Sequence, residues 1–227
     1  MTRESIIIAG SEGIVGSEIS QYMQKSHEIQ KLSLRFGHDF TNEDFVKGYF
    51  EKNDAQYLVN CFGFDDPVNE QKKSDTLFDV TLDSINKYLQ VNVLALFSVC
   101  RQFARNPKAK SIVNISSIYG LVSPKPSLYE ENREKHVGYS LAKAAVVQLT
   151  RHLAVHLAPK LRVNCVVLGG VEHKQDDNFK NRYNENVPMR RMMKKSEIPG
   201  LIEYLCSDKS SYVTGSIMNV DGGWTAW

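Results

Sequence analysis

Tyr139 and Lys143 stand four residues apart in Tyr139-Ser-Leu-Ala-Lys143, at the start of a segment with helical spacing. One helical turn puts both side chains on one face, where an ammonium beside a phenol favours the phenolate. A phenol ordinarily titrates near ~10, so a cation that draws it toward neutrality makes it a usable proton donor and acceptor. Many helices carry a Tyr and a Lys at this spacing without chemistry, so the pair needs company. A second feature supplies it: Gly10-Ser11-Glu12-Gly13-Ile14-Val15-Gly16 lies between an apolar run and a helical pattern. Glycines there let the backbone approach a pyrophosphate, and the helix N-terminus offers free N–H groups and partial positive charge. Glycine also ends strands for steric reasons alone, so the turn by itself is a modest signal. After a second apolar run, Lys31-Leu-Ser-Leu34 continues into Arg35, where an acid would have bonded a ribose 2′-hydroxyl. A guanidinium can pair with a 2′-phosphate, which favours NADP over NAD; the other reading is a solvated surface cation.

These groups need elements to hold them. Short β-branched runs at Ser5–Ala9, Ile29–Leu34, Tyr57–Asn60, Ser111–Ser116, Arg162–Val167 and Ile217–Val220 predict strands. Helical spacing at Gly16–Gln24, Asp83–Arg105, Tyr139–Leu157 and Ile198–Cys206 predicts helices between them. The alternation is that of an α/β chain with a parallel sheet covered on both faces. No linker or repeat divides residues 1–227, so a single domain is expected. Leu121–Val137 and Glu172–Lys195 read as long loops, and loops of that length in a compact domain are commonly functional.

The bulk properties exclude several classes. With 227 residues, 42% of them hydrophobic, the chain can bury a sizeable core, and its net charge of +2 comes from interleaved 28 basic and 26 acidic residues. No single-sign field for nucleic acid or anionic lipid results. Cys61, Cys100, Cys165 and Cys206 lie far apart, without the short paired spacing of a metal or redox site, and read as buried thiols; no metal is expected. Apolar runs such as Ile6–Ala9 and Val163–Leu168 are under half of the ~20 residues a membrane span needs. Met1–Ser5 passes into a strand with no export signal, and a cytoplasmic protein is expected.

Over nearly its whole length the sequence resembles the short-chain dehydrogenase/reductase family. The landmarks occur in the family's order: the glycine turn, Asp39, Asn60-Cys61-Phe62-Gly63 in place of Asn-Asn-Ala-Gly, Asn92, Ile115-Ser-Ser117-Ile-Tyr-Gly120, the Tyr139/Lys143 pair, Arg162-Val-Asn164, and Tyr212-Val-Thr-Gly215 leading to Val220-Asp-Gly-Gly-Trp224. The resemblance implies a single Rossmann-type doubly wound sheet, a homotetramer or homodimer, and hydride transfer between a nicotinamide dinucleotide and a small alcohol or carbonyl. It implies Tyr139 as general acid/base, Lys143 as the residue that lowers its pKa and holds the nicotinamide ribose, Ser117 as a bond to the substrate oxygen, and Asn92 as the holder of a relay water. Residues 10–16, Arg35, Asp39, Phe40, Asn60, Cys61, Phe62, Gly63, Gly169, Val171 and His173 would contact the cofactor, with Val171 at the carboxamide and His173 at the pyrophosphate.

Several positions depart from the family's pattern. The glycines are spaced G-x-x-G-x-x-G, Ala9 replaces a Thr, Leu168 replaces a Pro before Gly169, and His173 replaces a Thr. The interval from the second strand to Asp39-Phe40-Thr41 is short, as if a helix and part of a strand were missing. The Ser117–Tyr139 interval is long, and its Pro124…Tyr129-Glu insert is similar to bacterial members from surface-polysaccharide and flagellin-sugar pathways. That likeness implies a sugar phosphate or nucleotide sugar as substrate, with Lys125, Arg133, His136, Arg190 and Arg191 as candidate phosphate contacts, or else as a solvated charged surface. Two other readings are a 3-oxoacyl or small-ketone reductase of the same family and a non-catalytic dinucleotide sensor.

Overall fold

The structure, a computed structural model, describes residues 3–66 and 76–227. Strands β1 (Ser5–Ala9), β2 (Glu28–Leu32), β3 (Tyr57–Asn60), β4 (Ser111–Ser117), β5 (Arg162–Leu168) and β6 (Ile217–Val220) form one parallel sheet in the order β2-β1-β3-β4-β5-β6. All six expected strands are present. β2 stops at Leu32 rather than Leu34 because the Gly10 and Ser11 N–H groups take the Leu32 carbonyl, at 2.8 and 3.0 Å. Ser33 then accepts from the Arg35 N–H and opens a short turn over Leu34–Phe36. Among the described residues no strand lies outside β2, which fits the shortened interval before Asp39.

Alternate side chains of each strand face opposite layers. Ile7, Leu58, Ile112 and Val163 pack with Val46 of α2 (Glu43–Lys52), Val99 of α4 (Leu96–Phe103) and Val146 of α5 (Val137–Leu157). On the other face Ile6, Ile8, Val59 and Val166 pack with Ile19 of α1 (Ile14–Met23) and Ile202 of α7 (Pro199–Leu205). Helices on both faces make the sheet doubly wound. From β1 the chain runs outward to β2 and then crosses back to β3 on the other side, so the crevice beyond the strand C-termini opens beside β1.

Three helical expectations are corrected. The stretch Asp83–Arg105 is not one regular helix: α3 (Leu82–Leu89) and α4 are joined by a π-helical turn over Gln90–Ala95, and the π turn carries Asn92. Glu172–Lys195 is not a loop throughout, since it contains α6 (Asp177–Glu185). Asp176 caps α6 by accepting the Phe179 N–H at 2.8 Å, and Tyr183 alone in the helix is fully buried, so no apolar stripe announced it. α2 was also missed, although Asn42 caps it and Glu43 and Asp44 complement its first turn. Leu121–Val137 is irregular apart from a turn at Pro126–Leu128.

A buried polar chain ties the sheet to α5: Asn60 Nδ2 donates to Asn114 Oδ1 at 2.9 Å, and Asn114 Nδ2 donates to Thr150 Oγ1 at 3.0 Å. Removing the middle member strands both neighbours away from water. Asn114→Ala is expected to lower the urea unfolding free energy by roughly 2 kcal/mol, a lost buried hydrogen bond with an unsatisfied partner.

Candidate active site

Two elements converge on Tyr139. β4 delivers Ser117 at its C-terminal end, and the first turn of α5 delivers Tyr139 and Lys143. Ser116 Oγ donates to the Lys143 carbonyl at 2.8 Å, which pins that turn against the strand end. His136 caps α5, its Nδ1 accepting the Gly138 N–H at 3.0 Å, while its Nε2 meets Ser84 Oγ at 2.9 Å. Ser117 and Tyr139 border the same cleft, and the Ser117 hydroxyl acts to lower the phenol's pKa. Lys143 Nζ lies 5.7 Å from the Tyr139 ring centroid and donates to the Ile115 carbonyl at 3.3 Å. The expected one-face arrangement of phenol and ammonium is therefore present.

Asn92 sits nearby with its side chain bonded to backbone. Its Oδ1 accepts the Phe64 N–H at 2.7 Å and its Nδ2 donates to the Phe64 carbonyl at 2.9 Å, so the amide clamps the segment after β3. A Cβ on Gly63 would fall 2.7 Å from Asn92 Oδ1 and 3.6 Å from Lys143 Nζ, which places clamp and ammonium around the same backbone turn. The amide is thus engaged by backbone rather than free for a water.

Gly63, Phe64, Ser116, Ser117, Tyr139 and Lys143 border an open cleft of about 530 Å³ at the C-terminal edge of the sheet, with Asn92 and His136 standing behind it. Of the expected cofactor residues, Ile14, Val15, Cys61, Phe62, Gly63, Tyr139, Lys143, Gly169 and Val171 line it. Gly10, Ser11, Glu12, Gly13 and Gly16 form the turn at its end. A Cβ on Gly16 would lie 2.2 Å from the Gly10 carbonyl oxygen, so only glycine lets α1 start this close to β1. Ser11 is buried, with its hydroxyl on the Leu32 carbonyl at 3.2 Å, and supports the turn from below.

Four further carried-over positions do not line the cleft. The Asn60 side chain points into the core toward Asn114. His173 is exposed and its N–H is held by Gln175, and it is Gln175 that reaches the cleft. Asp39 is exposed and accepts the Thr41 N–H and hydroxyl at 2.9 and 2.7 Å. Phe40 is buried with its ring 4.5 Å from that of Phe62, where it backs the cleft wall. The proposed phosphate contacts fare similarly. His136 caps α5; Lys125 donates to Asn186; Arg190 bonds the Glu185 carbonyl; Arg191 pairs with Glu197; and neither these nor Arg133 lines the cleft. The insert's contribution to the cleft is Tyr129 and Lys135, together with Asp65, Tyr119, Phe179 and Met192 from elsewhere. Lys135 lies in the charged run before α5, where no spacing marks it out.

A family model described as enoyl-(acyl carrier protein) reductase matches residues 16–225. An uncharacterized oxidoreductase of Bacillus subtilis, YmfI, is 32% identical over 97% of this chain and 98% of its own length. The chain belongs to the short-chain dehydrogenase/reductase family. A 3-oxoacyl-[acyl-carrier-protein] reductase of Aquifex aeolicus is 29% identical over 96% of this chain and 86% of its own. A post-translational flagellin modification protein of Campylobacter coli is 29% identical over 89% and 81%. A short chain dehydrogenase of Leptospira borgpetersenii with bound NAD+ superposes with a TM-score of 0.85 at 26% identity, covering 99% of this chain and 94% of that one. The protein is accordingly an NAD(P)-dependent oxidoreductase.

The residues of this dehydrogenase/reductase fit a dinucleotide. α1 opens at Gly13 with no side-chain cap and no acid in its first turn, and its first residues, Ile14 and Val15, border the cleft. That leaves a positive helix end facing the space where a pyrophosphate would lie.

The electrostatics of the chain by itself differ from the expectation. Burial, reinforced by the Asp65 carboxylate, pushes the Tyr139 phenol above its ordinary range, and the Ser117 hydroxyl opposes it. Burial likewise holds the Lys143 ammonium below the usual lysine range. Desolvation outweighs the attraction between the two because both groups are enclosed. The same enclosure raises the thiols of Cys61, Cys100 and Cys165 to about 12, and all four cysteines are free. Among the described residues no cluster of three His, Cys, Asp or Glu side chains is placed to hold a metal, and no helix is long and apolar enough to cross a membrane.

The Lys143 shift has a consequence for stability. A lysine with a depressed folded-state pKa costs stability wherever it is charged in the folded chain. The cost eases as pH rises through that pKa and vanishes above 10.5, where the unfolded lysine is also neutral. Lys143→Met is expected to match or exceed the wild-type unfolding free energy at pH 7, with the wild type gaining on it as the pH is raised toward 10 in parallel urea melts.

Proposed function

We propose that this oxidoreductase interconverts an alcohol and a carbonyl with Tyr139 as general acid/base. The single observation that carries the reading is Tyr139 held between Ser117 and Lys143 in a cleft that ends at an uncapped helix N-terminus. When bound, the nicotinamide would supply or accept the hydride. Ser117 would donate a hydrogen bond to the substrate oxygen and so hold it against the phenol, which gives a proton in reduction and takes one in oxidation. Lys143 would hold the ribose and favour phenolate once the positive ring of the oxidised cofactor lies beside the phenol, offsetting the desolvation seen in the chain alone. Asn92 would act by fixing the Gly63–Phe64 turn, with its π-helical backbone leaving a carbonyl for a relay water. The cofactor and substrate functions would share one domain.

NADP is our preferred cofactor. Arg35 is exposed beyond β2, makes no ion pair among the described residues, and has Ser33 and His38 beside it; the first acid, Asp39, is occupied by Thr41. A sugar phosphate or nucleotide sugar is the substrate class we favour, on the polar cleft wall of Asp65, Tyr119, Tyr129 and Lys135 and the likeness to the flagellin modification protein. The second reading, a 3-oxoacyl reductase, is favoured by the Aquifex relative and by the apolar Phe179 and Met192 in the cleft lining. Exposed Leu94, Phe97, Leu141 and Val155 on the π turn, α4 and α5 support a homo-oligomer, and four free thiols accord with a cytoplasmic location.

Two measurements test this. Tyr139→Phe is expected to bind nicotinamide dinucleotide with unchanged affinity yet lose turnover roughly a hundred- to ten-thousand-fold; unchanged rates with any active keto-sugar or ketone would refute the acid/base role. Arg35→Ala is expected to raise KM for NADPH about tenfold or more, the worth of a charged hydrogen bond, and to leave KM for NADH nearly unmoved.

A further inference from the structure

Lys135 and Asp65 form an ion pair directly beside the phenol. Lys135 Nζ reaches both carboxylate oxygens of Asp65, at 2.5 and 2.7 Å, and the same Nζ lies 4.4 Å from the Tyr139 ring centroid. That is nearer than Lys143 on the same ring, at 5.7 Å. The two partners are unequally placed: the Lys135 side chain is 12% exposed and that of Asp65 47%. Both line the cleft, and Lys143 is the cleft's one other ammonium among the described residues.

The asymmetry decides which partner can leave. Moving Lys135 away would drag an ammonium from a nearly enclosed position and leave Asp65 unpaired against the cleft. Moving Asp65 only returns a half-exposed carboxylate to water, provided another anion takes its place on Lys135. The backbone that carries Asp65 is held at Phe64 by Asn92 and at Asp66 by Tyr88, so exchange requires no more than a side-chain rotation. We propose that Lys135 is a specificity-determining residue that binds an anionic group of the substrate close to its reacting carbon, with Asp65 as the internal stand-in for that anion. The substrate is then a carbonyl or alcohol compound bearing a carboxylate or phosphate near the reacting carbon; this deepens, and for turnover rests on, the oxidoreductase reading above.

Calorimetry at constant ionic strength, with NADP+ present, tests the exchange directly using malonate and inorganic phosphate as probes. Binding of at least one is expected, weakened about tenfold or more in Lys135→Met and recovered in Lys135→Arg, and tightened in Asp65→Asn because the competing carboxylate is gone. The stronger probe tells carboxylate from phosphate. A pair that is only structural would instead lose binding, or show none to lose, on removal of Asp65. Equal binding by wild type and Lys135→Met, or no binding of either probe, overturns the proposal. In turnover, a keto acid against its methyl ester and a keto-sugar phosphate against the free keto-sugar are compared. The anionic-to-neutral ratio of kcat/KM is expected to fall about tenfold or more in Lys135→Met, chiefly through KM. Failure of every compound to oxidise NADPH or NADH would overturn the oxidoreductase reading, while the calorimetry still judges Lys135.

Discussion

Lys143 carries an ammonium into the space between β4 and α5, where the Ile115 carbonyl, 3.3 Å away, is its hydrogen-bond acceptor among the described residues. Enclosing a cation costs free energy that its surroundings only partly return. The rest of the site is arranged around keeping it there. Ser116 fixes the turn of α5 that bears it, the Asn114–Thr150 bond fixes the helix two turns on, and the Asn92 clamp closes the backbone turn beside it. An enclosed ammonium with so little compensation is a poor device for stability and a good one for receiving electron-rich groups, such as ribose hydroxyls and a phenolate.

The sheet topology supplies the place. Strands β1 and β3 are neighbours whose connections leave in opposite directions, which opens a crevice beyond their C-termini. Gly10 and Gly16 bring α1 into that crevice, and the early stop of β2 at Leu32 is what frees the carbonyl that anchors the turn. The loss of any strand beyond β2 leaves Leu34 and Phe36 exposed on either side of Arg35. The same shortening therefore shapes the edge of the sheet and sets out the one guanidinium that bears on cofactor choice.

Strands were legible because parallel strands buried on both faces are continuous β-branched runs, and all six expected runs lie in the sheet. The phenol and ammonium were legible because helix geometry fixes what four-residue spacing does. α2 and α6 were not, because their faces are mostly polar and their capping residues, Asn42 and Asp176, are too common to stand out. The π turn at Asn92 leaves no trace in a hydrophobic pattern. Residue-by-residue transfer could not foresee the local partners that some side chains take: Asn60 on Asn114, Asp39 on Thr41, His136 on Gly138. Lys135 was invisible for the converse reason. Its meaning comes from Asp65, seventy positions earlier, and no spacing rule connects the two.

In the chain alone the phenol is held protonated, by burial first and by Asp65 second, with Ser117 opposing both. Burial is permanent, whereas the Asp65 contribution depends on where that carboxylate sits. While the carboxylate stays, it keeps the phenol's pKa raised even though it is paired with Lys135. If an anion of the substrate replaces it, the negative charge stays beside the phenol and the proton stays on Tyr139, as carbonyl reduction requires. The pair can thus hold the general acid in its donating form whether or not substrate is bound. In the oxidative direction the positive ring of the oxidised cofactor would have to offset both burial and the nearby anion.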